Sequence, residues 1–403
     1  MSKVRRLRSL VEALLLVGGL IVAVAVGGCD RAPIATDDRA SVAAVVPIAH
    51  TSIVVAHSGN EQAPTVTDAV RRPLRAAALD RDLPGADATV VSASRPDVEV
   101  VDLEPRRPNG DVELGPRRDD LVDARLDELQ RAVDRAAAAG GGGDLLAALD
   151  VARRTGAKAI VVLSAGLSTT DPLDMRLIGW DQDPEAVAAD LKARGLLPDL
   201  GGTAVTFSGL GLTAGSQPAL ELPARAALTR QWLAVCAAAG AASCSVDDSV
   251  RPFRPPLVST PSPVVPVPRA ATTHGPGGID TVSVPAPLLF RANSCDLVDV
   301  EAARAVVAPI ADRLRLGGWT VSVSGRTAPV GPGDGVELAT CRAGAAADLL
   351  RALRVPESAI GEVRGDGSLA DPPGAGLGAD GRPDPAALAA LRRVLFTLTP
   401  KEF

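Results

Sequence analysis

Over residues 51–248, short apolar runs alternate with longer stretches of helical period. Residues 52–56 form an apolar run, and 67–79 follow with Val70, Leu74 and Ala77 on one side of a predicted helix. Residues 89–92 and 98–103 read as strands, and 119–139 as a helix striped by Leu121, Leu126, Leu129 and Val133. The four glycines at 140–143 break that helix, and Asp144 stands where it can cap the next. Residues 157–163 predict a buried strand, 184–193 a helix, 203–208 a strand and 220–239 a helix. Strands separated by helices predict a mostly parallel sheet with helices on both faces. Residues 251–278 contain Pro252, Pro255, Pro256, Pro261, Pro263, Pro266 and Pro268, a density that predicts an extended, semi-rigid linker. Past residue 279 the pattern changes: 282–285 and 288–290 are strand-like, a helix follows Asp299, and 320–324 alternate as a half-buried strand. Pro309 falls inside that helix and is expected to kink or divide it. Asp334 and Glu337 have capping-box spacing and predict a helix to residue 353, with Leu338, Ala345 and Leu349 facing the core and Arg342 on the flank. Residues 360–364 and 394–398 supply further strands, and 366–385 a Gly/Pro-rich surface loop.

The N-terminus changes the picture from fold to address. Lys3, Arg5, Arg6 and Arg8 precede an uncharged run over 13–28, which has the anatomy of an export signal and is short of the ~20 residues of a membrane span. Val26-Gly27-Gly28-Cys29 looks like a bacterial lipobox, so Cys29 is expected to carry lipid, with two acyl chains sufficing for stable anchorage. The chain is therefore expected outside the cytoplasm, divided into a signal peptide (1–28), a spacer (29–50), an α/β domain (51–248), the linker (249–278) and a C-terminal domain (279–403). Cys236, Cys244, Cys295 and Cys341 remain, an even number in an oxidising compartment. We pair Cys236 with Cys244, at a helix end and its following loop, and Cys295 with Cys341, which joins two elements of the C-terminal domain. No C-x-x-C spacing occurs, and His50, His57 and His274 lie far from these thiols, so no metal is expected.

Composition narrows the rest. Aromatic residues are 2% and Tyr is absent, so the cores must be built from Ala, Val and Leu. Abundant Arg, Ala, Gly and Pro match the coding bias of a GC-rich bacterium such as an actinobacterium. A net charge of -6 lacks the basic footprint of nucleic acid binding. No Ser/His/Asp or Cys/His constellation is visible, so no enzyme and no cofactor are expected. Gly209-Leu-Gly-Leu-Thr-Ala-Gly215 has neither the spacing nor the position of a dinucleotide loop and reads as a turn.

Two resemblances follow. The motifs Val54-Val-Ala-His-Ser-Gly-Asn60, Val161-Val-Leu-Ser-Ala-Gly166 and Phe207-Ser-Gly-Leu-Gly211 resemble a von Willebrand factor A-like α/β domain. That family holds a divalent ion on Asp-x-Ser-x-Ser and a later aspartate. Ala56 and Ala165 occupy the aspartate positions here and only Ser58 fits, which implies a scaffold without metal. Phe290-Arg-Ala-Asn-Ser294, Val323-Ser-Gly-Arg-Thr327, Leu338-Ala-Thr-Cys-Arg-Ala343 and Arg392-Arg-Val-Leu-Phe396 resemble the OmpA/MotB C-terminal domain, over about a quarter of the chain. The resemblance implies a β-α-β-α-β fold with a mixed sheet and helices on one face. It also implies non-covalent binding of the diaminopimelate stem peptide of peptidoglycan, whose free end carries an ammonium and a carboxylate. Arg342 takes the position of the arginine that forks the carboxylate, with Thr327 and Arg393 as lining residues. The aspartate that pairs with the ammonium is replaced by Ala328, and Asp334 is the nearby substitute. The expected function is a lipid-anchored tether between membrane and cell wall, with the first domain as spacer or platform for an envelope protein. The alternative is an envelope interaction scaffold that lost wall affinity at Ala328.

Overall fold

In the computed structural model, residues 48–401 are described apart from 96, 330–333, 369–370, 373 and 380. The signal peptide and Cys29 lie outside the described residues. The first sheet contains β1 (His50–Val55), β2 (Asp87–Ser92), β3 (Val98–Asp102), β4 (Ala159–Leu163), β5 (Ala204–Ser208) and β6 (Ser243–Asp247). Their spatial order is β3-β2-β1-β4-β5-β6, all neighbours parallel except β3, which runs antiparallel to β2. Among the described residues it is accompanied by the helices α1 (Asp68–Leu79), α2 (Arg118–Ala138), α3 (Leu145–Arg154), α4 (Met175–Ile178), α5 (Pro184–Ala193) and α6 (Leu222–Ala238). Successive side chains of β1 point to opposite faces, so Ile53 and Val55 pack with Val70 and Leu74 of α1 and Leu129 of α2, while Val54 packs with Leu149 of α3 and Trp232 of α6. A strand covered on both sides has to be apolar at consecutive positions, which is why β1 and β4 were legible as unbroken runs. Asp144 caps α3 as expected, its carboxylate accepting the N–H groups of Leu146 and Ala147 at 2.9 and 3.1 Å.

The second sheet contains β7 (Ala271–His274), β8 (Asp280–Pro285), β9 (Trp319–Arg326), β10 (Ile360–Gly367) and β11 (Arg393–Pro400), in the order β10-β9-β11-β8-β7. It is mixed: β9 and β10 are parallel and the other pairings antiparallel. Its helices are α7 (Val300–Arg315), α8 (Val336–Ala352) and the short α9 (Pro385–Leu391). Val321 and Val323 of β9 and Val394 and Phe396 of β11 share one buried cluster with Val307 and Ile310 of α7 and Ala343 and Ala346 of α8. Small residues let α8 lie directly on the sheet. A Cβ at Gly325 would come 2.1 Å from the Ala339 carbonyl oxygen, and one at Gly365 2.3 Å from the Thr340 nitrogen.

Several expectations are corrected. Residues 288–290 are not a strand, because the chain turns there in a 3-10 helix (Ala286–Leu288). Helix α7 runs unbroken through Pro309, which removes one backbone hydrogen bond while Val307, Ile310 and Leu314 stay packed. Asp334 forms no capping box: α8 starts at Val336 behind Gly335 at φ +68, and the Asp334 carboxylate accepts the Val336 N–H at 3.1 Å. The 249–278 segment, expected as a semi-rigid linker, also takes part in both folds. It contributes the edge strand β7, and upstream of that strand it lies along the first domain as a strap. Ala63 N–H donates to the Arg254 carbonyl at 3.2 Å, Arg254 pairs with Asp134 at 3.0 Å, and Gln217 exchanges two hydrogen bonds with the Val265 backbone, at 2.9 and 2.8 Å. Both sheets belong to one compact unit, joined further by Arg230 donating to the Val298 carbonyl at 2.8 Å. Among the described residues no helix is long and apolar enough to cross a membrane.

Candidate functional site

The first turns of α8, the end of β9 and the loop after β8 border an open cavity of about 410 Å³. Arg342 enters it from α8. Its residue is only 5% exposed, on the inward side of the helix rather than the expected flank. Its Nε donates to the Ser294 carbonyl at 2.9 Å, and the guanidinium lies 5.5 Å from the centre of the Phe290 ring, within cation–π range. The disulfide between Cys295 and Cys341 staples the 290–295 loop to α8 one residue before Arg342, fixing the carbonyl that orients the guanidinium. That leaves the terminal nitrogens without an acid or carbonyl partner among the described residues. Burial pushes the guanidinium pKa down from its ordinary value. A buried cation without a counter-ion is costly, and an anion in the cavity would offset that cost.

Thr327 and Ala328, directly after β9, line the same cavity and are 7% and 9% exposed. The Thr327 N–H is taken by the Gly367 carbonyl at 3.1 Å, but its hydroxyl has no partner. Gly335 is required beside it, since a Cβ there would come 2.2 Å from the Thr327 hydroxyl oxygen. Asp334 does not line the cavity.

Arg393 lies elsewhere than expected: it pairs with Asp371 at 2.8 Å and donates to the Ala390 carbonyl at 2.7 Å, away from the cavity lining. The neighbouring Arg392 lines it instead, and burial lowers its pKa. Consecutive residues at a strand entrance project to opposite sides, so the Arg392-Arg393 pair alone did not reveal which one faces the cavity. Arg392 is ion-paired with Asp181, a residue of the first domain that the sequence did not single out. Asp181 is the only acid lining the cavity among the described residues.

At the C-terminal end of the first sheet, where Ala56 and Ala165 stand, a different carboxyl group fills the space. Glu61 accepts the Ala165 N–H at 2.7 Å and the hydroxyls of Ser58 and Ser164 at 3.1 and 3.3 Å. Burial outweighs these hydrogen bonds and pushes its pKa up to about 7. The strap closes over this end: Asn60 Nδ2 donates to the Ser262 and Pro263 carbonyls at 3.0 and 2.8 Å. His57 accepts the Leu257 N–H on Nε2 at 3.2 Å, and burial, then Arg254, lower its pKa to about 4. Among the described residues no three His, Cys, Asp or Glu side chains gather into a metal-ligating group. The disulfides Cys236–Cys244 and Cys295–Cys341 are both formed, at Cα separations of 6.2 and 5.8 Å.

No family model matches the chain, and no curated protein does. Solved structures similar to one third of it include a MotB-like protein from Desulfovibrio vulgaris, at 20% identity and a TM-score of 0.28, covering 33% of this chain and 80% of that one. The cell wall anchor of the T6SS from Pseudomonas aeruginosa is similar at 25% identity and a TM-score of 0.27, covering 33% of this chain and 89% of that one. The OmpA-like domain of FopA1 from Francisella tularensis is similar at 19% identity and a TM-score of 0.24, covering 33% of this chain and 81% of that one.

Proposed function

We propose that this chain is a non-catalytic, extracytoplasmic envelope protein, lipid-anchored at Cys29, whose OmpA-like C-terminal domain holds peptidoglycan by gripping a carboxylate of the stem peptide. The observation that carries this reading is Arg342. Its stem is oriented by Ser294 and Phe290, and its fork is left for a ligand in a cavity that also holds the unpartnered Thr327 hydroxyl. A planar guanidinium matches a carboxylate with two parallel hydrogen bonds, and a charge-assisted bond contributes ~1.5–3 kcal/mol, or roughly ten- to hundredfold in affinity. The first domain, read as A-like and without metal, serves as spacer or as the platform for an envelope protein.

Sedimentation of the full chain with purified insoluble peptidoglycan tests this. The wild type is expected to co-pellet and Arg342→Glu to remain in the supernatant. Thr327→Val, a milder change in the same cavity, is expected to weaken pelleting while leaving the melting temperature within a few degrees. Absence of wild-type co-pelleting would favour the second reading, an envelope interaction scaffold, which the missing carboxylate at Ala328 supports.

A further inference from the structure

We infer that Asp181 of the first domain is the ammonium-binding acid of the cavity in the second domain, so that the site is shared between the domains and selects an end group bearing both amine and carboxylate. The inference rests on the wall-binding reading of Arg342 and adds the residue that would set its specificity.

Among the described residues, the cavity is lined by three arginines, Arg291, Arg342 and Arg392, and by one acid, Asp181. With arginines alone it would accept any small anion. One carboxylate among them changes what fits: a ligand bearing only negative charge meets repulsion at Asp181, whereas one bearing an adjacent ammonium places opposite charges on both sides. The position of Asp181 is built rather than incidental. Gly179, at φ +74, turns the chain after α4, and Trp180 Nε1 donates to the Pro266 carbonyl of the strap at 2.6 Å, fixing the residue before Asp181. The side chain is 12% exposed although it borders an open cavity. Arg392 engages Oδ2. A carboxylate has about four acceptor sites, so the pair keeps capacity for an ammonium. The unpartnered Thr327 hydroxyl, on another element lining the cavity, points independently to a polar occupant.

The test measures discrimination rather than affinity alone. Two soluble probes are titrated calorimetrically into the detergent-solubilised full chain: a stem tripeptide ending in diaminopimelate, and the same peptide with its far amine acetylated. The wild type is expected to bind the free-amine probe about tenfold more tightly, the worth of one such bond. Asp181→Asn is expected to bring the ratio close to one, with the acetylated probe bound no more weakly than by the wild type because Arg392 is released. Adding Ala328→Asp to Asp181→Asn is expected to restore part of the preference from within the second domain. A ratio unchanged by Asp181→Asn, with binding still lost in Arg342→Glu, would overturn the role of Asp181 and leave wall binding intact. Failure of the wild type to bind either probe would overturn both.

Discussion

Glu61 is a carboxyl group whose surroundings reverse its usual pH behaviour. Its folded pKa of about 7 lies above the ordinary 4.5, so between these values the folded state holds a proton that the unfolded chain releases. Its contribution therefore falls as pH rises from about 4.5 and is fully lost above about 7, a span of roughly 3 kcal/mol. Glu61→Gln keeps the shape and removes the titration. The variant is expected to gain about 1 kcal/mol relative to wild type between pH 6 and pH 8, measured by urea unfolding at both values. An unchanged difference would mean that Glu61 is ionised in the fold. The same logic of burial separates Arg342 from the surface arginines. Arg342 is buried without a carboxylate partner among the described residues, whereas Arg351, for example, is an exposed residue tied to Asp348 and Glu357.

At the scale of elements, α8 is placed by what its neighbours lack. Gly325 and Gly365 have no Cβ under Ala339 and Thr340, so the helix settles onto β9 and β10 and carries Arg342 inward. The Cys295–Cys341 disulfide then ties the 290–295 loop to this helix across 46 residues of sequence, worth roughly 2–4 kcal/mol. Replacing both cysteines by Ser is expected to lower stability by that order in chemical denaturation. It is also expected to weaken Arg342-dependent peptidoglycan pelleting, because Ser294 loses its fixed position. Equal pelleting by the reduced and oxidised chain would show that Ser294 does not orient the guanidinium. The edge strands β6 and β7 were the elements least legible in the sequence. β7 is exposed at all four positions and β6 alternates around Cys244, so neither has the apolar run that marked β1 and β4.

Across the whole molecule, the proline-rich segment works against the separation its composition suggests. Its extended form needs no internal hydrogen bonds, which leaves its backbone groups free to pair with the first domain. Val265 is 1% exposed and its N–H donates to Gln217 Oε1 at 2.8 Å. Hydrogen exchange is expected to find the Val265 amide protected, and Gln217→Ala to speed its exchange tenfold or more. Fast exchange in the wild type would show that the segment is not held against the first domain. The strap, the Arg230 contact and the Asp181–Arg392 pair hold the two domains so that one contributes to the cavity of the other.

The local text of the chain was enough for the two-sheet architecture, both disulfide pairings and the candidacy of Arg342. The architecture and the pairings rest on period, spacing and residue type, which a strand or helix imposes on its own few residues, whereas Arg342 was singled out by the resemblance its motif carries. Packing alone decided that Arg342 lies inward, that Arg392 rather than Arg393 reaches the cavity, and that Asp181 meets Arg392 across 211 residues. An ion pair so distant along the chain depends on how finished domains dock. No periodicity within either segment encodes that arrangement.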